Sequence, residues 1–452
     1  DGVAERGRRR LSGLGYDNVH VLTGGPQGWR ASGFELFEGV NSVSKAFGEA
    51  VEHRCHTPRL PPHDVQARLG RGEDVVVVDG RPFAEYRKMN IPGSLCCPNG
   101  ELALRIDAIA PRPTTTVVVN CAGRTRSIVG AQTLLDLGLP NPVYALENGT
   151  QGWFLAGLPL EHGAARTYAG EPDEPARALL RARTARLMAA HGVPRVDAAT
   201  ANAWLADATR TTYVFDVRSP EEAAAAPVAG AVHAPGGQLL QATDQWIGVR
   251  GARVLLHDGD GIRAGVVARW LRAMGHDAAA LAPDAATAVR VPAAVSPQLP
   301  AMPVVAFADV GTRLVLDLAD SATYRAGHAP GAVWSIRPRV IAAAGDARAV
   351  ALCGGDARVA ALAALDLAEA GMAVVRVANA PRTERTPAVP ADADRIDFVA
   401  FAHGRHDGDR AAAELYLRWE THLLDRLTDV ERALLPFATM TVPAGATARE
   451  VA

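Results

Sequence analysis

The sequence predicts an α/β fold made of tandem modules, each a parallel sheet flanked by helices on both faces. Apolar, β-branched runs typical of buried parallel strands alternate with patterns of helical period. A run that ends in aspartate occurs three times, at 75–79, 213–216 and 314–317. Each copy is followed by a strand–loop–helix unit, and these units begin at Cys121, Asp258 and Cys353.

The spacing within the copies indicates a true internal repeat. Asp79 precedes Cys121 by 42 positions, and Asp216 precedes Asp258 by the same number, whereas the third copy is shorter. Between this aspartate and the loop, each copy has a short box of mostly small residues, at 91–94, 228–231 and 328–332. An arginine stands five positions after the first residue of each loop, as Arg126, Arg263 and Arg358. Agreement at several positions in one register favours repetition of a folded unit over chance.

A further marker closes the repeat and sets the predicted boundaries. The motif Asn-Gly-x-x-Gly-Trp ends at Trp153, and a similar segment ends at Trp29. We therefore predict that residues 1–40 are the C-terminal part of a truncated module, and we expect about 65 to 70 residues of that module to be missing before Asp1. The other predicted ranges are modules at 57–162, 193–285 and 303–388, a helical linker at 163–192 and a helical C-terminal tail at 389–452.

Composition excludes several classes of protein. Of the 452 residues, 48% are hydrophobic and 21% are charged, which is typical of a globular chain. A net charge of −2 gives no reason to expect nucleic acid or a membrane as a partner, and no apolar run approaches the roughly 20 residues that cross a bilayer. Five cysteines indicate a reducing compartment, so we expect a cytoplasmic protein. No glycine motif for a phosphate occurs in the right context, so no nucleotide, flavin or other cofactor is expected.

The loop that begins at Cys121 carries the strongest chemical signal. The strand-forming run 117–119 leads into this cysteine, and a helical pattern begins at Ile128. Backbone N–H groups of such a loop, together with the N-terminal end of the helix, favour an anion. Arg124 and Arg126 add positive charge. Because these features favour a thiolate, we interpret Cys121 as a nucleophile rather than as a buried structural cysteine.

Taken together, these motifs resemble those of the rhodanese family of sulfurtransferases. The resemblance rests on the strand-Asp-x-Arg segment at Asp79, the box at 91–94, the Cys-x4-Arg loop and the closing motif. It covers nearly the whole chain, as one partial and three complete modules. This arrangement is similar to that of bacterial tandem sulfurtransferases. The resemblance implies that Cys121 takes a sulfane sulfur from thiosulfate or a similar small anion. The resulting persulfide would pass this sulfur to cyanide or a thiol.

The loop residues have expected roles in such chemistry. Their backbone N–H groups are expected to stabilise the persulfide anion. The side chains of Arg126 and Arg124 are expected to bind the donor's sulfonate and to offset charge on the sulfite that leaves. The predicted substrate-binding set is Ala122, Gly123, Arg124, Thr125 and Arg126.

Three further residues are expected to support the loop. The aspartate at position 79 recurs in all three complete modules, including one without the nucleophile. We therefore interpret Asp79 as orienting the loop or Arg81 rather than as a proton donor. Ser127 stands at the start of the helical pattern, and we interpret it as a helix cap.

The modules are not equivalent in their chemistry. Asp258 replaces the nucleophile in the module at 193–285, which we predict to be silent in sulfur transfer and to serve structure or partner docking. Cys353 and Arg358 form a candidate second site in the last module. That loop carries Asp356 in place of Arg124, so the thiolate is less favoured there.

The remaining cysteines are given structural interpretations. Cys96 and Cys97 follow the small-residue box, so burial beside the site is favoured over a role as a resolving thiol. His53, Cys55 and His56 lie close together, but their spacing is unlike common zinc patterns. We interpret them as linker residues and predict no metal site.

Two rival functions remain at this stage. A cysteine-dependent phosphatase uses a Cys-x5-Arg loop, and the loop here is one residue shorter, which suits a single sulfur better than a phosphoryl group. A non-catalytic or regulatory, sulfur-responsive scaffold is the second rival, because one module is silent and another is doubtful. The tail is amphipathic, with Leu415, Trp419, Leu423 and Leu427 at helical spacing. We interpret this apolar face as packing against a domain or a second subunit, so a homodimer is a plausible assembly.

Overall fold

The computed structural model describes residues 2–36, 39–168, 170–293, 301–385, 404–406 and 408–434. They divide into two compact units, one made of 2–36 with 301–385 and the other of 39–293 with 404–434. Within these ranges lie three sheets, each of five parallel strands, with helices packed against them. The predicted fold class, tandem modules with a parallel sheet flanked by helices, is therefore confirmed.

Two N-terminal helices belong to the unit that contains the third sheet. They are α1 (Val3–Gly13) and α2 (Gly25–Ala31). Arg10 in α1 pairs with two carboxylates of a later helix in the same unit, Asp366 at 2.7 Å and Glu369 at 2.9 Å. The assignment of 1–40 to a truncated module stays a prediction.

The other unit begins with helix α3 (Ser42–Cys55), which the repeats do not predict, and continues into the first sheet. The strand order is β1-β5-β4-β2-β3. Residue 79 at the end of β2 lies opposite Asn120 at the end of β4, so both strands deliver polar side chains to the same sheet edge. The elements are β1 (Arg59–Leu60), α4 (Pro62–Gly70), β2 (Val75–Asp79), α5 (Phe83–Lys88), β3 (Leu95–Cys96), α6 (Leu102–Ile109), β4 (Thr116–Asn120), α7 (Thr125–Asp136), β5 (Val143–Leu146) and α8 (Gly149–Leu155).

A single helix, α9 (Glu174–Ala190), occupies the predicted linker. Asp173 caps it by accepting a hydrogen bond from the N–H of Ala176 at 2.9 Å. Leu180 and Leu187 are buried, whereas Leu179 is exposed.

The second sheet repeats the topology of the first, in the order β6-β10-β9-β7-β8. Asp216 at the end of β7 lies opposite His257 at the end of β9. The elements are β6 (Arg195–Val196), α10 (Ala198–Ala206), β7 (Thr212–Asp216), α11 (Pro220–Ala225), β8 (Val232–His233), α12 (Gly236–Gln241), α13 (Thr243–Trp246), β9 (Arg253–His257), α14 (Ile262–Ala273) and β10 (Asp277–Leu281).

The first two sheets share one hydrophobic core. Trp270 of α14 is fully buried and donates its indole N–H to the hydroxyl of Thr133 in α7 at 2.8 Å. Its ring meets that of Phe47 from α3 edge-on, with centroids 5.7 Å apart. The backbones of Gly100 and Gly237 pack so closely that a Cβ at Gly100 would lie 2.9 Å from the nitrogen of Gly237. The two modules therefore form one packed body, and each buries part of the apolar surface of the other.

The third sheet has the same order, β11-β15-β14-β12-β13. Asp317 at the end of β12 lies opposite Cys353 at the end of β14. The elements are β11 (Val304–Ala306), β12 (Leu314–Asp317), α15 (Ser321–Ala326), β13 (Val333–Trp334), α16 (Val340–Ala344), β14 (Ala349–Cys353), α17 (Ala357–Glu369) and β15 (Ala373–Ala378).

The tail contributes α18 (Arg410–Thr421) and α19 (Asp429–Leu434). Trp419, Leu423 and Leu427 are buried as predicted from their spacing, but Leu415 is 45% exposed, and Tyr416 takes its place on the buried face. Residues 389–403, 407 and 435–452 of the predicted tail lie outside the described residues. Across the described part of the chain, no helix has both the length and the apolar character that a membrane span needs.

Candidate active site

A network of hydrogen bonds fixes the loop between β4 and α7. The amide of Asn120 donates to the carboxylate of Asp79 at 2.8 Å and to the hydroxyl of Thr150 at 3.0 Å. The backbone N–H of Thr150 in turn donates to the carbonyl of Cys121 at 2.8 Å. The cysteine is thereby held at the carboxyl end of the central strand, with its backbone tied to both neighbouring segments.

The closing motif of the repeat has a physical reason in this loop. Gly149 has a φ of +57°, and a Cβ at that position would lie 2.5 Å from the carbonyl oxygens of both Cys121 and Gly123. Only glycine combines this backbone conformation with such a close approach. The next turn continues the contact, since the N–H of Gln151 donates to the carbonyl of Ala122 at 3.0 Å. The motif therefore acts as a clamp on the cysteine loop.

The side chain of Cys121 is 2% exposed and lies beside Ser127. Its Sγ is 3.6 Å from the Ser127 hydroxyl, which also lies 2.7 Å from the carbonyl oxygen of Arg124 and donates to it. The interpretation of Ser127 as a helix cap is wrong, because Arg124 is the N-cap of α7 and no side chain caps that end. Ser127 instead lies in the first helical turn, where its hydroxyl contacts the sulfur.

Arg126 lies in the first turn of α7 and is almost wholly buried. Its two terminal nitrogens bind the carboxylate of Glu85 at 3.0 and 2.8 Å, while its Nε has no hydrogen-bond partner. Burial opposes the charge on both groups, but their pairing prevails: the pKa of Arg126 is raised and that of Glu85 is lowered to about 2. A negative charge on Cys121 would raise the pKa of Arg126 further, so the guanidinium lies near enough to the sulfur to interact with a thiolate there.

Arg124 points into a different environment from Arg126. Its guanidinium binds Glu49 at 2.7 and 2.9 Å, contacts Glu52, and donates to the amide oxygen of Asn148 at 3.1 Å. Burial raises the pKa of Glu49 to about 7, although Arg124 opposes that rise. These groups line a cavity of about 510 Å³ between α3 and the loop. Arg124 therefore ties α3 to the loop and has few donors left for a ligand.

Asp79 and Arg81 form a buried pair directly beneath the loop. The guanidinium binds both carboxylate oxygens, at 2.9 and 2.7 Å, and also donates to the carbonyl of Met89 at 2.7 Å. Because Asp79 also accepts from Asn120, the residue before the cysteine, it contacts both the loop strand and Arg81. The second sheet repeats this pair with Asp216 and Arg218.

Helix α18 covers the outer side of the loop, a contact that sequence reasoning missed. Glu420 is fully buried, accepts from the hydroxyl of Thr125 at 2.9 Å and pairs with Lys45 of α3 at 3.2 Å. A Cβ at Gly123 would lie 2.8 Å from a Glu420 oxygen and 3.0 Å from the Tyr416 ring. The sequence signal for this contact is the spacing of Tyr416 and Glu420, because residues four positions apart in a helix place an aromatic ring and an acid on one face.

The loop that begins at Asp258 in the second sheet holds a carboxylate where the first has its cysteine. The carboxylate of Asp258 accepts from the backbone N–H groups of Gly261 at 2.7 Å, Arg263 at 2.6 Å and Ala264 at 3.0 Å. These correspond in the repeat to the N–H groups of residues 124, 126 and 127. Burial, followed by the charge of Asp260, raises the pKa of Asp258 to about 6 against the effect of these donors. The loop of this fold is thus an anion cradle, and Asp258 fills it with the protein's own carboxylate.

Comparison with known proteins identifies the fold family. A sequence model of the rhodanese-like domain matches residues 61–156 and 197–282. The crystal structure of a thiosulfate sulfurtransferase from Pseudomonas aeruginosa is 39% identical, covers 94% of this chain and 85% of its own, and superposes with a TM-score of 0.83. The chain belongs to the rhodanese family.

Two further relatives match single parts of this rhodanese. An HTH-type transcriptional regulator of Mycobacterium tuberculosis is 32% identical over 91 residues, which is 20% of this chain. The chain spans only 39% of the length of that curated relative. A Rhodopseudomonas palustris protein described as a possible tyrosine phosphatase is 34% identical and covers 28% of this chain and 97% of its own, with a TM-score of 0.23. A score that low carries no argument about function.

The last rhodanese module places Cys353 in a different setting. Burial, and then the charge of Asp317, raise the pKa of its thiol to about 12. Asp356 caps α17 by accepting from the N–H of Arg358 at 2.7 Å, so a carboxylate occupies the helix end where an anionic donor would bind. The side chain of Arg358 is exposed. This environment favours the neutral thiol.

The remaining cysteines of the rhodanese are also free thiols with raised pKa values. Burial raises the pKa of Cys96 to about 12, holds that of Cys97 well above its usual range, and also raises the pKa of Cys55. His53 and Cys55 lie in α3, and the interpretation of His53, Cys55 and His56 as linker residues stays a prediction. Within the described ranges no group of three or more His, Cys, Asp or Glu residues could hold a metal ion.

Proposed function

We propose that this rhodanese is a sulfurtransferase that carries sulfane sulfur from thiosulfate, or a similar anionic donor, through a persulfide on Cys121. The Cys121 thiolate attacks the outer sulfur of thiosulfate, a new S–S bond forms, and the donor's S–S bond breaks. Sulfite leaves with the electron pair. Cyanide or a thiolate acceptor then attacks the terminal sulfur, and the cysteine thiolate is regenerated. This cycle needs no cofactor.

The carboxylate of Asp258 is the observation that carries the proposal. Each of its oxygens is separated from Cβ by one atom, as is the terminal sulfur of a persulfide. Three backbone N–H groups bind those oxygens at 2.6 to 3.0 Å. We propose that the corresponding N–H groups of the Cys121 loop bind the persulfide anion in the same way. The relative from Pseudomonas aeruginosa, named a thiosulfate sulfurtransferase, supports the choice of donor.

The side chains of the loop take separate roles in the proposal. Arg126, a buried cation with an unpartnered Nε, attracts the donor and offsets the charge of departing sulfite. Arg124 acts as a structural tie to Glu49 and Glu52 rather than as a donor ligand. Thr125 holds the covering helix through Glu420. The five free thiols fit a reducing compartment such as the cytoplasm, and a homodimer stays a prediction.

Intact mass spectrometry after incubation with thiosulfate tests this function. The wild-type chain and Cys353→Ser are expected to gain one sulfur atom, whereas Cys121→Ser gains none. A wild-type chain that gains no sulfur from thiosulfate, mercaptopyruvate or cysteine persulfide contradicts the proposal. A sulfur gain that disappears only in Cys353→Ser would move the reaction to the last module.

A sulfur-responsive regulator is the second candidate, and the match to the transcriptional regulator favours it. Turnover separates the two functions. An enzyme releases thiocyanate from thiosulfate and cyanide over many cycles, whereas a sensor becomes loaded with sulfur but turns over slowly.

A further inference from the structure

The module without a nucleophile reaches into the site of its neighbour. Gln238, the third residue of α12, accepts a hydrogen bond from the Nη1 of Arg126 at 3.3 Å. This contact joins residues 112 positions apart and crosses the shared core of the two modules. Arg126 therefore has two side-chain partners, Glu85 from its own module and Gln238 from the silent one.

The same contact occurs in reverse at the silent loop, with one chemical difference. Arg263, the counterpart of Arg126, pairs with Glu222 of its own module at 2.6 and 2.9 Å. Its Nη1 also donates to Glu101 of the neighbouring module at 3.0 Å. Glu101 stands in the repeat where Gln238 stands, since both follow a proline by three residues. The neighbour thus supplies a carboxylate to the silent loop and a neutral amide to the loop with the cysteine.

This difference changes the charge that an incoming anion meets. Arg263 faces two carboxylates, Glu222 and Glu101, although Glu101 also lies 3.4 Å from Arg105. Arg126 binds one carboxylate, that of Glu85, and one uncharged amide oxygen, while the nearby Asp79 is already paired with Arg81. A second carboxylate beside Arg126 would leave its guanidinium overcompensated and would repel a dianion such as thiosulfate.

We infer that Gln238, supplied by the silent module, is a specificity-determining residue that keeps Arg126 available to an anionic sulfur donor. The inference rests on the proposed function and extends it, because the silent module becomes part of the donor site. The hydrogen bond from Arg126 requires only an acceptor oxygen at position 238. Binding of the anionic donor depends on the lack of charge on that oxygen rather than on its presence.

Gln238→Glu tests the inference, because it keeps the shape and the acceptor oxygen and adds one negative charge. For this variant we expect the KM for thiosulfate to be about ten-fold higher than that of the wild-type chain, with a smaller change in kcat. Gln238→Met, which removes the acceptor without adding charge, should change KM by less than about three-fold.

Glu101→Gln is the matched control, since it makes the opposite exchange at the silent loop and should leave the thiosulfate KM unchanged. Thermal unfolding of all three variants checks that each is folded. An unchanged KM in folded Gln238→Glu, or an equal rise in Gln238→Met, overturns the inference while leaving sulfur transfer by the wild-type chain intact. Absence of sulfur transfer in the wild-type chain instead refutes the proposed function.

Discussion

The clamp on the cysteine loop can be tested through Gly149. Replacement by alanine places a Cβ 2.5 Å from two backbone carbonyl oxygens, those of Cys121 and Gly123, and neither can move without shifting the loop. The φ of +57° adds about 1–2 kcal/mol of backbone strain for a residue with a Cβ. Overpacking against a fixed neighbour costs about 1–3 kcal/mol more. We therefore expect Gly149→Ala to lower the free energy of unfolding by about 2–5 kcal/mol.

Gly138→Ala supplies the matched control in the same module. Gly138 also has a positive φ, +72°, but a Cβ there meets nothing within 4 Å. Gly138→Ala carries the backbone strain without the clash, so its free energy of unfolding in urea should be lower by about 1–2 kcal/mol. Sulfur loading of the folded protein should fall in Gly149→Ala and persist in Gly138→Ala. Equal losses of stability with sulfur loading intact in both variants would refute the clamp.

Two further predictions concern the charged partners of the loop. Arg124→Met leaves the buried Glu49 without a cation, whereas Glu52 keeps Arg59. We therefore expect the free energy of unfolding in urea to fall by about 3–5 kcal/mol with the thiosulfate KM unchanged, and a raised KM at unchanged stability would restore Arg124 as a donor ligand. Glu85, whose pKa falls from 4.5 to about 2 beside Arg126, stabilises the fold above pH 4.5, and this contribution is lost as the pH falls toward 2. Melting temperatures should therefore fall less between pH 5 and pH 3 in Glu85→Gln than in the wild type, and an equal fall in both proteins would contradict this assignment.

The repeat pattern predicted the parts of the fold that depend on local sequence. The apolar runs ending in aspartate became β2, β7 and β12, and β2 lies beside β4, the strand that leads to Cys121. The parallel register then brought Asp79 to the residue before the cysteine. Buried strands carry this information because burial on both faces demands continuous apolar sequence.

Contacts between distant segments could not be predicted in the same way. Helix α3 lies before the predicted module at 57–162 and α18 lies in the tail, yet Glu49 and Glu420 bind the side chains of Arg124 and Thr125. A loop arginine carries the same charge whether it faces a ligand or a buried acid, so its partner decides its role. The exchange between Gln238 and Glu101 was hidden for the same reason, since it emerges only once the two modules pack.

The central claim is that one cysteine carries the sulfur, and single-turnover release of sulfite tests it most directly. With thiosulfate in excess and no acceptor, the account predicts one sulfite per wild-type chain, and peptide mapping should place the added sulfur on Cys121. Cys353→Ser should release the same amount, and Cys121→Ser should release none. Sulfite release by Cys121→Ser, or an added sulfur found on another cysteine of the wild-type chain, would contradict the account.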